Sequence, residues 1–201
     1  MTLTFYTNAQ SRGRIARWML EEVGQPYDTV LVDWQDKPAA LLEANPLGKV
    51  PTIVHDGHVV TEAAAVCAYL AQAFPDAGLA PTPQEAAPYF RWMFFAAAPL
   101  EQAMMDRFRK IEVPPEQRGM IGYGNFDAAV DTLAFALSQA PYVAGDRFTA
   151  ADVAVGSAVS WFTMFKLLPE RPVFADYLAR LHARDGFKRA SEIDDAAAAK
   201  R

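Results

Sequence analysis

The sequence predicts an α/β amino-terminal half with the element order β-α-β-α-β-β-α, followed by an all-helical carboxy-terminal half. Three observations carry this. Short runs of β-branched and aromatic residues alternate with helical-period stretches up to Phe74. Pro75 to Pro88 then gathers four prolines with Gly78 and several small residues, the composition of a linker. Beyond it, apolar residues recur almost everywhere at helical spacing. The expected boundaries are 1–76 for the first domain, 77–88 for the linker and 89–201 for the helical domain.

Residues 3 to 7 read as a strand, ended by the polar run Asn8-Ala9-Gln10-Ser11. Ile15, Trp18, Met19 and Val23 share a helix face, and Gly24 with Pro26 stops that helix. Thr29 to Val32 is a second strand, and Ala39 to Ala44 a short helix. Thr52-Ile53-Val54 and His58-Val59-Val60 flank an Asp56-Gly57 turn, a hairpin signal. Glu62 to Phe74 closes the half as a helix. Downstream, Phe90, Met93, Phe94 and Ala97 share a face, and Pro99 should kink that helix rather than end it. Phe126, Val130, Leu133 and Leu137 form another stripe. Thr149 with Asp152 has capping-box spacing and opens a helix through Phe165 that is apolar nearly all round. Phe174, Tyr177, Leu178 and Leu181 supply the last stripe, and the tail from Ala196 to Arg201 reads as frayed.

Of the 201 residues, 52% are apolar, enough for a sizeable core. The net charge of −5 argues against a nucleic-acid partner. Cys67 is the sole cysteine, which excludes an internal disulfide and fits a reducing cytoplasm. No segment has the length and polarity of a membrane span. His55 and His58 flank the Asp-Gly turn and read as exposed, while His182 sits near a helix end where a cation is favoured. No histidine, cysteine and carboxylate set has metal-ligand spacing, so no metal is expected. Phosphate-loop, nucleophile-elbow and dinucleotide patterns are absent from the sequence.

The densest signal is Asn45-Pro46-Leu47-Gly48-Lys49-Val50-Pro51, followed eleven residues later by Glu62 at the head of an alanine-rich helix. Two prolines and a glycine exclude a helix and force a turn into a strand. Pro51 after a β-branched residue at a strand start predicts a cis peptide, which would leave the Val50 backbone as an edge for an extended peptide. A helix start at Glu62 attracts a carboxylate. Together they describe a site for a short zwitterionic peptide.

These residues, with Thr61-Glu62-Ala63-Ala64-Ala65-Val66 and Tyr69-Leu70, resemble the glutathione-binding half of the soluble glutathione S-transferase superfamily. Gly145-Asp146-Arg147-Phe148-Thr149-Ala150-Ala151-Asp152 resembles the helix-starting box of that family's carboxy-terminal domain. The resemblance implies a thioredoxin-like first domain, glutathione as co-substrate, a small electrophile as acceptor and a homodimer. It points to serine-type theta-, beta- or nu-like bacterial members without fixing the class. The implied activity is thiol activation for attack on the electrophile. The alternatives are glutathione-dependent peroxidase or dehalogenase chemistry, or a non-catalytic glutathione-binding protein.

The reaction needs a thiolate, and a free thiol has a pKa of roughly 8.5. A donor at the end of the first strand, beside a helix start, lowers it. Ser11 is the first candidate, on a position where family members carry serine, although serine also serves as a helix cap. Asn8 is the rival: four residues before Arg12-Gly13-Arg14, it stands where tyrosine-type members carry their tyrosine. Tyr6 reads as a core aromatic. By the same resemblance, Val50 pairs its backbone with the cysteinyl part, Pro51 holds that geometry, and Lys49 reaches the glycine carboxylate. Glu62 meets the γ-glutamyl ammonium. Ala63 replaces the usual serine, which removes a hydroxyl from the γ-glutamyl carboxylate. An acceptor pocket would draw on Trp92, Met93, Phe95, Met104, Met105 and Phe108, with Arg107 and Arg109 as polar contacts.

Overall fold

The structure, a computed structural model, describes residues 2–200 and divides into two compact units, Met1–Ala80 with His182–Arg201, and Pro81–Leu181. The first unit is built on a four-stranded sheet in the order β2-β1-β3-β4. Its strands are β1 (Leu3–Thr7), β2 (Asp28–Leu31), β3 (Thr52–His55) and β4 (His58–Thr61). β2 runs parallel to β1, whereas β3 is antiparallel to both β1 and β4. The helices of this unit are α1 (Gly13–Val23), α2 (Ala39–Ala44), α3 (Ala63–Ala73) and α9 (Asp185–Ala198). Strand, helix, strand, helix, hairpin and helix follow in the expected order, which is the thioredoxin-like arrangement.

Side chains of β1 alternate between two layers, as a strand's period of two requires. Phe5 is buried on the α1 side, where the Arg17 guanidinium lies 4.9 Å from its ring centroid. Tyr6 points the other way, into a cluster with Val32 and Leu41, the core role expected of it. Gly24 ends α1 in the left-handed conformation, with φ 72°, that glycine adopts without steric cost. Asp56 and Gly57 both have positive φ in the β3–β4 turn, as a two-residue hairpin needs.

The sequence shows no helical stripe after the one ending at Leu181, yet α9 spans Asp185–Ala198 and takes in the first three residues of the segment expected to fray; Arg201 lies outside the described residues. The reason is chemical. The buried positions of α9 are Gly186, Ala190 and Asp194, so its packed face shows no apolar stripe. It docks on α1 through the Phe187 ring, edge-on to Trp18 at 5.1 Å, and through ion pairs: Arg184 with Glu22, Arg189 with Glu21, Asp194 with Arg17, and Asp195 with Arg14. Gly186 is forced by close approach, because a Cβ there would stand 2.6 Å from Glu22 Cδ.

The second unit is helical: α4 (Ala86–Phe95), α5 (Glu101–Phe108), α6 (Phe126–Ser138), α7 (Ala150–Met164) and α8 (Pro172–His182). α4 starts at Ala86, inside the segment read as linker, and Pro88 occupies its first turn, where a missing N–H costs nothing. Between α4 and α5 the chain stays helical through a π-turn at Ala96–Leu100 that absorbs Pro99, so the proline distorts and does not end the helix. On α4 the buried residues are Tyr89, Trp92 and Met93, while Phe90 and Phe94 are exposed. Trp92, Met93 and Met104 are core; Phe95 and Met105 are half-buried and Phe108 is exposed. The Thr149–Asp152 capping box is present and opens α7. Asp152 also accepts from the Val143 N–H at 2.8 Å and the Tyr177 hydroxyl at 2.9 Å, which ties α7 to α8 and to the preceding loop.

Candidate functional site

Strand register brings three loops to one end of the sheet. Tyr6 pairs with Thr52, and Thr52 pairs with Thr61. The residues just beyond these pairs are therefore neighbours: the β1 end running into Asn8, the Val50–Pro51 peptide, and Glu62.

Asn45 fastens the Asn45–Pro51 turn. Its amide donates to the Lys49 carbonyl at 3.1 Å and the Thr52 hydroxyl at 3.2 Å, and its side-chain oxygen accepts from the Leu47 N–H. Gly48 takes φ +57°, and its N–H returns to the Asn45 carbonyl at 2.7 Å. The Val50–Pro51 bond is cis, as expected. Val50 is half-buried, and no turn or ladder hydrogen bond uses its backbone among the described residues. Lys49 is exposed. Lys37 joins it: its Nζ lies 3.1 Å from where a Cβ on Gly48 would stand. Twelve residues upstream in the chain, Lys37 shares no local spacing with Lys49, so sequence reasoning missed it.

Glu62 is the N-cap of α3, exposed, with φ 64° and ψ 118°. A glutamate in that region costs on the order of 1–3 kcal/mol and persists only where its surroundings impose it. Glu62 makes no side-chain cap, and among the described residues no side-chain acceptor serves the first N–H groups of α3, which begins at Ala63. Such an uncapped terminus binds an anion.

Asn8 and Ser11 belong to one turn. The Asn8 side chain is 1% exposed; its amide donates to the Val32 carbonyl at 2.9 Å and its oxygen accepts from the Gln10 N–H at 2.9 Å. Ser11 is half-buried; its hydroxyl donates to the Asn8 carbonyl at 2.6 Å and accepts from the Gly13 N–H at 2.9 Å. Ser11 is thus the more open of the two, at the start of α1. Behind it, the Thr7 hydroxyl is buried without a partner and would stand 2.0 Å from a Cβ on Gly13. That contact is why residue 13 is glycine.

Other polar groups are structural. His55 was expected at the surface but is buried, because α3 covers it: Nδ1 lies 2.9 Å from the Tyr69 hydroxyl and the ring packs on Phe74. His182 stacks on Phe187, and burial lowers its pKa, opposite to the cation expected there. Burial pushes the Cys67 thiol up to about 12, which makes it inert. Among the described residues, no group of three His, Cys, Asp or Glu is arranged to hold a metal, and no helix is long and apolar enough to cross a membrane.

Residues 10–90 match the family model described as the glutathione S-transferase amino-terminal domain. A probable glutathione S-transferase of Oryza sativa subsp. japonica is 28% identical over 182 residues, covering 81% of this chain and 76% of its own. Glutathione S-transferase A of Pleuronectes platessa is 28% identical over 209 residues, covering 94% and 89%. The theta class glutathione S-transferase of Xanthomonas axonopodis pv. citri, solved with glutathione bound, superposes with a TM-score of 0.72 at 29% identity, covering 94% of this chain and 97% of that one. A glutathione transferase of Methylococcus capsulatus shares the fold, with a TM-score of 0.80 at 24% identity over 97% of this chain and all of its own. Residues 10–90 thus carry the glutathione S-transferase amino-terminal domain, and the chain as a whole is similar in sequence and fold to glutathione S-transferases.

Proposed function

We propose that the protein is a glutathione S-transferase that ionises the glutathione thiol for attack on a small electrophile. The observation that carries this reading is the convergence of the Ser11 turn, the Val50–Pro51 peptide and the uncapped start of α3 at one end of the sheet. In this reading the cysteinyl backbone pairs with Val50, next to Pro51. The γ-glutamyl carboxylate meets the N–H groups at Ala63, and its ammonium meets Glu62. Lys49 and Lys37 take the glycine carboxylate. Ser11 donates to the sulfur, its hydroxyl made a better donor by the Gly13 N–H it accepts. Asn8 holds the turn that presents it.

The reading extends to a homodimer and a cytoplasmic location. The exposed Phe90 and Phe94 on one face of α4 support the first, and the single buried thiol the second. Sedimentation of the pure protein tests the dimer.

The decisive experiment is glutathione titration by calorimetry, followed by turnover of an activated aryl halide. The expected result is binding at or below millimolar concentration, with turnover that falls in Ser11→Ala. No binding at millimolar glutathione contradicts the proposal, and so does turnover untouched by both Ser11→Ala and Asn8→Ala. A second reading, a glutathione-binding protein without turnover, is favoured by the engagement of the Ser11 proton with the Asn8 carbonyl and by Ala63. It predicts bound glutathione that stays a thiol.

A further inference from the structure

α1 and α9 lie antiparallel along a rail of ion pairs, from Glu22–Arg184 and Glu21–Arg189 at one end to Arg17–Asp194 and Arg14–Asp195 at the other. Exposed ion pairs contribute little to stability, with a median of about 0–1 kcal/mol. Arg14–Asp195 is of that kind, its two side chains being 32% and 69% exposed. Its position gives it a different use.

Arg14 is the rail residue that reaches the Asn8–Ser11 turn. Its Nε donates to the Ala9 carbonyl at 2.6 Å while its Nη2 donates to Asp195 Oδ1 at 2.6 Å. Ala9 is buried, so its carbonyl needs a partner from within the fold. A guanidinium carries donors in a rigid fork, and can hold a backbone oxygen with one edge and a carboxylate with another. The carboxylate fixes the fork, and the fork fixes the turn. Ser11, two residues after Ala9, is placed by the same turn through its bond to the Asn8 carbonyl.

We propose that Asp195, on the last helix, acts through Arg14 to hold the turn carrying Ser11 in its donor geometry, so that Arg14 and Asp195 are positioning residues of the site. The inference rests on the reading of Ser11 as the thiol's donor. α9 is then a brace for the site as well as a cover for α1.

Hydrogen exchange in the unliganded protein tests the brace without reference to glutathione. The reporters are the Gln10 and Gly13 amides, which bond to Asn8 Oδ1 and Ser11 Oγ within the turn. Arg14→Lys keeps the charge and loses the fork; Asp195→Asn keeps the shape and loses the charge. Both are expected to speed exchange at these amides roughly five- to tenfold, the size of one hydrogen bond. Asp195→Glu should restore most of the protection. The control is Arg189→Gln, which removes a pair at the far end of the rail and should leave the turn unchanged. With glutathione and an aryl halide, kcat/KM should fall by a similar factor in the first two variants, while the thermal midpoint moves no further than in the control. Wild-type exchange in both variants overturns the proposal, as does equal acceleration in Arg189→Gln, which would reduce α9 to general packing. If the turn loosens as expected but the wild-type protein never ionises glutathione, the brace stands and the reading of Ser11 falls.

Discussion

Ser11 Oγ donates to the Asn8 carbonyl oxygen across 2.6 Å, so the two residues proposed to face the thiol belong to one hydrogen-bonded turn. A hydroxyl has one proton, and ionising a thiol with it requires rotation away from Asn8 towards the sulfur. The Gly13 N–H stays on the oxygen through that rotation. Ser11→Ala removes the donor and leaves the Gly13 N–H at the start of α1 without its acceptor. Turnover should fall by an order of magnitude or more, and stability by about 1 kcal/mol, the net contribution of one hydrogen bond. Steady-state kinetics with a denaturant melt separates the two effects.

Gly13→Ala should be among the most damaging small substitutions in the chain. The new Cβ would lie 2.0 Å from Thr7 Oγ1 and 3.1 Å from Thr7 Cβ, so Thr7 must leave its rotamer and still crowds the new methyl group. The expected loss is above ~1 kcal/mol, the lower end for overpacking. Thr7→Ala alone should be close to neutral, because its buried hydroxyl has no partner to lose. The Thr7→Ala/Gly13→Ala double variant should recover much of the lost stability in thermal melts; damage that persists unchanged in it would show that another contact is responsible.

Ala63→Ser places a hydroxyl at the uncapped start of α3. A hydrogen bond to a charged group contributes roughly 1.5–3 kcal/mol, so glutathione affinity should rise by about one to two decades. Calorimetric titration of the two proteins side by side reads this directly. Equal affinities would show that the γ-glutamyl carboxylate lies elsewhere.

Glu85 gives a pH dependence with a definite sign. It accepts from Arg147 Nε at 3.1 Å and from Nη2, and it completes a box with the Thr82 N–H at 2.8 Å. The Arg147 hydrogen bond, aided by that N–H, lowers its pKa from 4.5 to about 2. A depressed carboxylate pKa stabilises the fold above the unfolded value, and that stability is lost as pH falls through the folded value. Melts between pH 7 and pH 2 should show this loss below about pH 4.5, and Glu85→Gln should reduce the slope in that window.

What the sequence displayed was local. The Asp56-Gly57 turn, the Thr149–Asp152 box and the proline after Val50 are written in adjacent residues, and the structure bears them out. What it concealed depends on partners far along the chain. His55 is buried because Tyr69 and Phe74 fold over it, which no pattern around a hairpin turn reveals. α9 hides because its fully buried positions are glycine, alanine and aspartate, with Phe187 as an aromatic contact to α1 and with arginines paired to glutamates there. Lys37 meets Gly48 only through the fold. At the candidate site, the motif positions were legible as residue types, whereas the fastening of the turn by Asn45 and the hold of Arg14 on Ala9 were not.

The most direct test of the account is the ultraviolet titration of glutathione bound to the protein, following the thiolate band against pH. The account predicts ionisation well below the free thiol's value of roughly 8.5, with a shift back towards it in Ser11→Ala. Bound glutathione that titrates at the free value, or the same depressed value in Ser11→Ala, would contradict it.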